Sequence, residues 1–169
     1  PCGAPLRSCI IFAGETDFMV RRGFASPCGK SEVAALLQEA RERKLVLNAD
    51  NVKRGGGFRC LCCGCCCTVL TGIRRFGLPN AVVTSGFLAR HDGRSCTGCG
   101  KCAADCPIGA IRMSDGEPGS RKKRPVVDVS FCIGCGVCQH ECPVSGLRAI
   151  RVTAENESRT KRHSLTMKA

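Results

Sequence analysis

Residues 96–107 read CTGCGKCAADCP, and residues 132–143 read CIGCGVCQHECP. Both stretches have the pattern C-x2-C-x2-C-x3-C-P, and each cysteine of the first recurs 36 residues later in the second. A repeat this regular predicts two copies of one metal-binding unit. Glycines between the thiols accept backbone angles that let a tight loop bring its N–H groups close to sulfur. These glycines are Gly98, Gly100, Gly134 and Gly136.

The last two cysteines of the first motif, Cys102 and Cys106, are four residues apart. A helical turn places such a pair on one face, so each thiol can reach a different metal centre. Pro107 then ends the turn and redirects the chain. Zinc is the alternative metal, because paired C-x2-C units also form tetrahedral sites. Three closely spaced thiols, a fourth after three residues and a proline favour an iron-sulfur centre instead.

The doubled motif resembles the bacterial two-cluster [4Fe-4S] ferredoxins. This resemblance implies a ferredoxin-like domain with pseudo-two-fold symmetry, in which each cluster takes its fourth ligand from the other motif. One cluster would be held by Cys96, Cys99, Cys102 and Cys142, and the other by Cys132, Cys135, Cys138 and Cys106. Nearby apolar residues are expected to form the core and to shield the clusters from water. They are Ile108, Ile111, Ile133, Val137 and Ile150.

Residues 58–67, FRCLCCGCCC, carry six further cysteines. In an extended chain neighbouring side chains point to opposite faces, so Cys62 and Cys63 are not expected to share a small site, nor are Cys65 and Cys66. The pattern predicts that a subset binds metal or that two centres are served. A third iron-sulfur cluster is the favoured interpretation, with zinc or reduced structural thiols as alternatives. Its candidate ligands are Cys2, Cys9, Cys60, Cys62, Cys63, Cys65, Cys66 and Cys67.

The arrangement of these elements is similar to a family of 4Fe-4S dicluster proteins of anaerobes. In that family a C-x2-P-x3-C element precedes a helix, a CxCCGCCC segment and two ferredoxin motifs. Here Cys2, Pro5 and Cys9 match the first element. The remaining cysteine, Cys28, is expected to be an ordinary buried thiol.

Helical spacing of apolar residues within 30–45 predicts one amphipathic helix, with Ser31 as its N-cap. LVLN, residues 45–48, predicts a short strand, and residues 68–75 a short helix. The fold class is therefore α+β. We expect a cysteine-rich N-terminal segment at 1–88, a ferredoxin-type domain at 89–153 and a basic disordered tail at 154–169.

The composition excludes several classes. The 17 cysteines among 169 residues are an odd number, and many are too close in sequence to pair with one another, which argues against a secreted disulfide scaffold. A reducing, cytoplasmic location is expected. No apolar run reaches the length of a membrane span. Because the chain begins at Pro1, we expect a fragment or a processed product.

The formal net charge of +12 raises the question of nucleic-acid binding. Bound clusters would offset part of this charge, since each oxidised cube with four thiolates carries about −2. The basic residues gather in a loop at 121–124 and in the tail, without interleaved aromatic residues to stack on bases. We therefore expect a redox partner protein or oxidoreductase subunit, and no nucleic acid.

These observations predict one-electron transfer through two [4Fe-4S] clusters, with a third as an entry or exit point. Neither His91 nor His140 lies within a nucleophile or base arrangement, so they are expected to be surface or core residues. The chain is expected to be an electron-transfer protein more than a stand-alone enzyme. The alternative is a catalytic iron-sulfur oxidoreductase with an open-site cluster in the CxCCGCCC segment.

Overall fold

The structure is a computed structural model that describes residues 2–12, 14, 16–50, 52, 56–78, 81–82, 86–116, 122–144 and 150–154. The chain divides into two compact units, Pro1–Cys67 and Thr68–Ala169. Apart from Ala154, the basic tail predicted at 154–169 lies outside the described residues. In the described part of the chain, no helix combines the length and the apolar character needed to cross a membrane.

Within its described residues, the N-terminal unit contains a three-stranded antiparallel sheet and two helices. The strands are β1 (Cys9–Ile11), β2 (Val46–Ala49) and β3 (Phe58–Cys62), and the helices are α1 (Thr16–Arg21) and α2 (Lys30–Glu42). β3 is the central strand, with the order β1-β3-β2. Cys60 of β3 pairs with Cys9 of β1 on one side and with Asn48 of β2 on the other. The sheet therefore brings cysteines from distant parts of the sequence together.

Helix α2 confirms the predicted amphipathic helix, but its N-cap lies two residues earlier than predicted. Gly29 is the N-cap residue, and its N–H donates to the carboxylate of Glu32 at 2.7 Å. The prediction of Ser31 as N-cap is wrong, because the Glu32 side chain already satisfies the exposed backbone donor. The apolar face is largely uncovered: Ala40 is its only buried residue, and Leu37 is 40% exposed.

The C-terminal unit contains three helices and two antiparallel strand pairs among its described residues. The helices are α3 (Thr68–Phe76), α4 (Lys101–Ala104) and α5 (Val137–His140), and the strands are β4 (Phe87–His91), β5 (Ile111–Ser114), β6 (Arg124–Val127) and β7 (Ile150–Ala154). β4 pairs with β7, and β5 pairs with β6. The strand before each cysteine motif therefore pairs with the strand that follows the other motif, which ties the two motifs together.

The core of the C-terminal unit is small. Leu70 and Ile73 of α3 are completely buried, and Ile150 of β7 is 1% exposed. Five apolar residues near the cysteine motifs are all buried, which confirms the prediction that they belong to the core; they are Ile108, Ile111, Ile133, Val137 and Ile150. The mixed helices and small sheets agree with the predicted α+β class.

Candidate metal centres

Two cavities in the C-terminal unit are each lined by four cysteines. The first has about 330 Å³ of empty space, part of it open to solvent, and is lined by three thiols of the first motif and one of the second: Cys96, Cys99, Cys102 and Cys142. The second has about 310 Å³ of empty space, also partly open to solvent, and is lined by Cys106, Cys132, Cys135 and Cys138. The structure thus brings the cysteines together in the two sets that the ferredoxin resemblance implies.

Each motif contributes its fourth cysteine to the cavity of the other motif, and for the first motif the chain changes cavity at the end of α4. Cys102 lies in the helix and lines the first cavity, whereas Cys106 follows the helix and lines the second. The equivalent helix α5 carries Cys138, and Cys142 follows it. Both helices begin after a glycine in the left-handed region, with φ of 77° at Gly100 and 81° at Gly136. Only glycine adopts this conformation without strain, so the local sequence fixes how the chain enters each cavity.

Backbone N–H groups point at the sulfurs. The N–H of Gly98 donates to Cys96 Sγ at 3.4 Å, and the N–H of Ala110 donates to Cys106 Sγ at 3.3 Å. Such donors stabilise negative charge on a metal-bound thiolate and tune the centre that it holds. A cavity with four thiols and inward N–H donors fits the charge and size of an iron-sulfur cube.

The two motif helices are also joined by a lysine. Lys101 of α4 contacts the carboxylate of Asp105 at 2.8 Å and that of Glu141 at 2.8 Å. Asp105 and then Glu141 raise the pKa of Lys101, which keeps its ammonium group charged. This contact links the ends of α4 and α5 outside the cavities.

A comparison with known families decides the nature of these cavities. Residues 95–145 match the family model described as the 4Fe-4S dicluster domain. This segment is therefore similar to 4Fe-4S dicluster domains. The match covers both cysteine motifs and implies two [4Fe-4S] clusters, as predicted from the sequence. No curated protein and no solved structure gave a significant match to the chain.

Burial controls the thiols at the centre of the dicluster domain. It raises the pKa of Cys138 to about 12 and also raises the pKa of Cys102. Neighbouring cysteines add to both effects, since one thiolate opposes the ionisation of the next. Without metal these thiols stay protonated at neutral pH, so the uptake of a cluster releases protons.

His91, expected to be an ordinary surface or core residue, lines the first cavity. Its Nε2 is buried and has no hydrogen-bond partner among the described residues. Burial lowers the pKa of His91, and Arg124 lowers it further, so the ring is neutral at pH 7. A buried donor without a partner costs about 1–3 kcal/mol. A cluster sulfur is an acceptor that can satisfy it.

We expect His91→Phe to lower the reduction potential of one cluster, because a hydrogen bond to sulfur stabilises the more negative reduced state. A difference of about 1 kcal/mol between the two redox states corresponds to roughly 40 mV for one electron. Protein-film voltammetry measures this shift. His140→Phe is the matched control, because His140 is exposed and contacts Glu141 at 3.1 Å. If the two variants have equal reduction potentials, His91 does not donate a hydrogen bond to a cluster sulfur.

A second set of thiols lies in the N-terminal unit. The sulfurs of Cys2, Cys63, Cys65 and Cys66 all lie within 4.8 Å of one another, and we call them the compact thiol group. Cys2 Sγ is 3.8 Å from Cys63 Sγ and 3.3 Å from Cys66 Sγ. Thiolates around one tetrahedral ion are about 3.8 Å apart when the metal–sulfur bonds are about 2.3 Å. The group therefore has the dimensions of a metal-binding site.

The compact thiol group corrects one sequence expectation. Cys65 and Cys66 both belong to it, although alternation along an extended chain predicted opposite faces. The prediction is wrong because β3 ends at Cys62 and residues 64–66 form a turn. Cys62, still in the strand, is not part of the group although its neighbour Cys63 is.

Hydrogen bonding divides the compact thiol group into two kinds of sulfur. The backbone N–H of Ala4, followed by the thiols of Cys66, Cys65 and Cys63, lowers the pKa of Cys2 to about 6. Contact with Cys2 and then with Cys65 and Cys63 raises the pKa of Cys66 to about 12. Cys2 is therefore a thiolate at neutral pH and Cys66 a thiol that donates to it. An exposed thiolate is ready to bind a metal ion.

The other candidate cysteines of this unit lie apart from the compact thiol group. Cys9 Sγ is 3.5 Å from Cys60 Sγ across the β1–β3 pair, and Cys62 and Cys67 are half-buried nearby in sequence. Cys28 is exposed, so the prediction that it is buried is wrong. It lies in the segment between α1 and α2.

Proposed function

We propose that the protein is a ferredoxin-type electron-transfer module whose residues 89–153 form a pseudo-two-fold domain with cross-ligated clusters. The observation that carries this proposal is the pair of cavities, each lined by three cysteines of one motif and one of the other. A [4Fe-4S] cluster supplies a one-electron carrier when bound. Cys96, Cys99, Cys102 and Cys142 would hold one cluster, and Cys132, Cys135, Cys138 and Cys106 the other.

The chain's own residues set the conditions for transfer. Thiolates fix the iron, and N–H donors such as that of Gly98 offset negative charge on sulfur. Apolar residues exclude water from the second cavity, which is lined by Ile108, Ile111 and Ile133. Cys99 is exposed and lines the first cavity, so this edge is a route by which a redox partner protein can reach the centre.

We propose that the compact thiol group holds a third iron-sulfur centre, for which its short sulfur–sulfur separations favour a single iron bound by four thiolates. Its four sulfurs are already gathered, and the lowered pKa of Cys2 supplies a thiolate without a cost in proton release. Because Cys2, Cys65 and Cys66 are exposed, this centre is an entry or exit point for electrons. Exposed thiolate-bound iron persists in a reducing, oxygen-poor compartment, so we place the protein in the cytoplasm of an anaerobic cell.

Iron and sulfide analysis of oxygen-free preparations tests the proposal. We expect about eight irons and eight sulfides per chain from the dicluster domain, with additional iron from the compact thiol group. One further iron without sulfide indicates a single ion, and about four of each indicate a third cube. Two reversible one-electron waves in voltammetry should accompany the eight irons. A preparation without sulfide would contradict electron transfer through cubes.

Variants separate the third centre from the other two. Cys65→Ser should lose the additional iron and keep both voltammetric waves of the dicluster domain. Cys28→Ser is the matched control, since Cys28 is exposed and lies outside the compact thiol group. Equal iron content in the two variants would show that the compact thiol group holds no iron.

A catalytic role for the compact thiol group is the second candidate, favoured by its exposure and by the lowered pKa of Cys2. A centre with an open iron position would act on a small thiol or disulfide substrate. Turnover of such a substrate that is lost in Cys63→Ala, with both dicluster waves intact, would establish the enzyme. Absence of turnover in fully loaded protein leaves electron transfer as the function.

A further inference from the structure

The N-terminal unit contains a second set of four thiols outside the compact thiol group. They are Cys9, Cys60, Cys62 and Cys67, which we call the sheet thiol group. We propose that the sheet thiol group is a separate metal site that binds one thiolate-preferring divalent ion, Zn²⁺ or Fe²⁺. The site goes beyond the three centres proposed above and does not depend on them.

The central strand of the sheet provides the base of this site. Cys60 and Cys62 are two residues apart in β3, so their side chains point to the same face. Cys9 of β1 is the direct cross-strand partner of Cys60 and lies on that face too. Their sulfurs are 3.5 Å apart, within hydrogen-bonding distance for two thiols. The pairing of β1 with β3 therefore places two of the four sulfurs, those of Cys9 and Cys60, next to each other.

The turn after β3 supplies the fourth thiol. The N–H of Cys67 donates to the carbonyl of Cys63 at 3.2 Å and closes the turn. The Cys67 side chain thereby comes within hydrogen-bonding reach of Cys62. Contacts between side chains therefore connect the four thiols in the order Cys9, Cys60, Cys62 and Cys67.

The short distance between the Cys9 and Cys60 sulfurs favours a single metal ion over a [4Fe-4S] cube. Each thiolate of a cube binds a different iron, which holds the sulfurs well apart. A separation of 3.5 Å between Cys9 and Cys60 instead fits two sulfurs on one tetrahedral ion, whose edges are about 3.8 Å. In the described part of the chain only the compact thiol group has three or more sulfurs that all lie within 4.8 Å of one another, so the four sulfurs of the sheet thiol group are more spread out than the ligands of a bound ion. The ion draws them together.

A polar group beside the site independently indicates a missing acceptor. Asn48 is the partner of Cys60 on the other edge of β3, and its Nδ2 is buried with no hydrogen-bond partner among the described residues. The Asn48 side chain lies close to Cys62, which is two residues from Cys60 on the same face of β3. Metal-bound thiolates accept such hydrogen bonds from neighbouring amides. A negatively charged sulfur at Cys62 gives the Asn48 amide its acceptor.

Metal analysis of the full chain tests this site. Protein is purified without oxygen from cells supplied with both metals, and zinc, iron and sulfide are counted per chain. Relative to Cys28→Ser, we expect Cys62→Ser to lose about one zinc or one iron and no sulfide. Cys65→Ser should keep that ion, because it alters only the compact thiol group. The identity of the lost metal distinguishes the two ions.

Three results would overturn the proposal: equal metal content in Cys62→Ser and Cys28→Ser, loss of sulfide together with iron in Cys62→Ser, or a Cys9–Cys60 disulfide in oxygen-free protein. If Cys65→Ser leaves the metal content unchanged, the third centre proposed for the compact thiol group is contradicted, and the sheet thiol group is not affected. Asn48→Ala decides the matter if Cys62→Ser does not fold. It keeps all four thiols and should weaken retention of the ion by about 10–100-fold in competition with a chelator. Unchanged retention would count against the site.

Discussion

Replacing Cys142 with alanine should remove the cluster associated with the first motif, although Cys142 belongs to the second. The reason is that Cys142 lines the same cavity as Cys96, Cys99 and Cys102. A cube bound by only three thiolates has one iron without a protein ligand. We expect the iron content to fall by up to about four per chain, measured with sulfide in oxygen-free preparations. Cys28→Ser again provides the control for loss of an exposed thiol.

The His91 effect identifies which cluster remains. His91 lines the first cavity only, so in the Cys142→Ala background His91→Phe should leave the remaining potential unchanged. In the Cys106→Ala background the remaining cluster is the one beside His91, and the shift of roughly 40 mV should persist. If each motif held its own four-cysteine cluster, these two results would be reversed. The pair of double variants therefore separates crossed from uncrossed ligation.

Gly98→Ala should destabilise the dicluster domain more than Gly100→Ala. Both glycines have φ of 77°, where an added Cβ costs about 1–2 kcal/mol. At Gly98 the new Cβ would also lie 2.7 Å from the backbone oxygen of Lys123, whereas at Gly100 its nearest neighbour is the side chain of Met113 at 3.8 Å. Backbone cannot move aside as a flexible side chain can, so overpacking adds about 1–3 kcal/mol at Gly98 alone.

The measurement is the loss of visible absorbance on heating, which reports release of the clusters. Gly98→Ala should bleach at a clearly lower temperature than Gly100→Ala, and wild type should be the most resistant. Both variants carry the same strained φ, so their difference isolates the contact with Lys123. Identical bleaching temperatures would show that this segment moves freely enough to accept the methyl group.

The dicluster domain could be predicted from the sequence because its defining residues are closely spaced along the chain. The motif cysteines, the left-handed glycines such as Gly136 and the buried apolar residues all follow from short-range patterns. The predicted helix at 30–45 and the strand at 45–48 were also confirmed, as α2 and β2. In each case the residues that define the element are close together in the chain.

The N-terminal unit was harder to predict because its sites depend on contacts between distant residues. Alternation within 58–67 holds up to Cys62 and fails where the turn at 64–66 begins. The pairing of Cys9 with Cys60 spans 51 residues and requires knowledge of the sheet order. His91 belongs to no recognisable motif, because its importance comes from the cavity that it lines. Its position at the end of β4, five residues before Cys96, was the available clue.

The closing of the first cavity by Cys142 has a consequence for how the protein is made. Cys102 and Cys142 are 40 residues apart, so a ribosome must finish nearly the whole dicluster domain before the last sulfur of that cavity emerges. A nascent chain that ends before Cys142 would have only three of the four cysteines that line the first cavity. Iron-sulfur assembly factors should therefore act on this chain late in translation or after its release, and premature termination should yield colourless, unfinished protein.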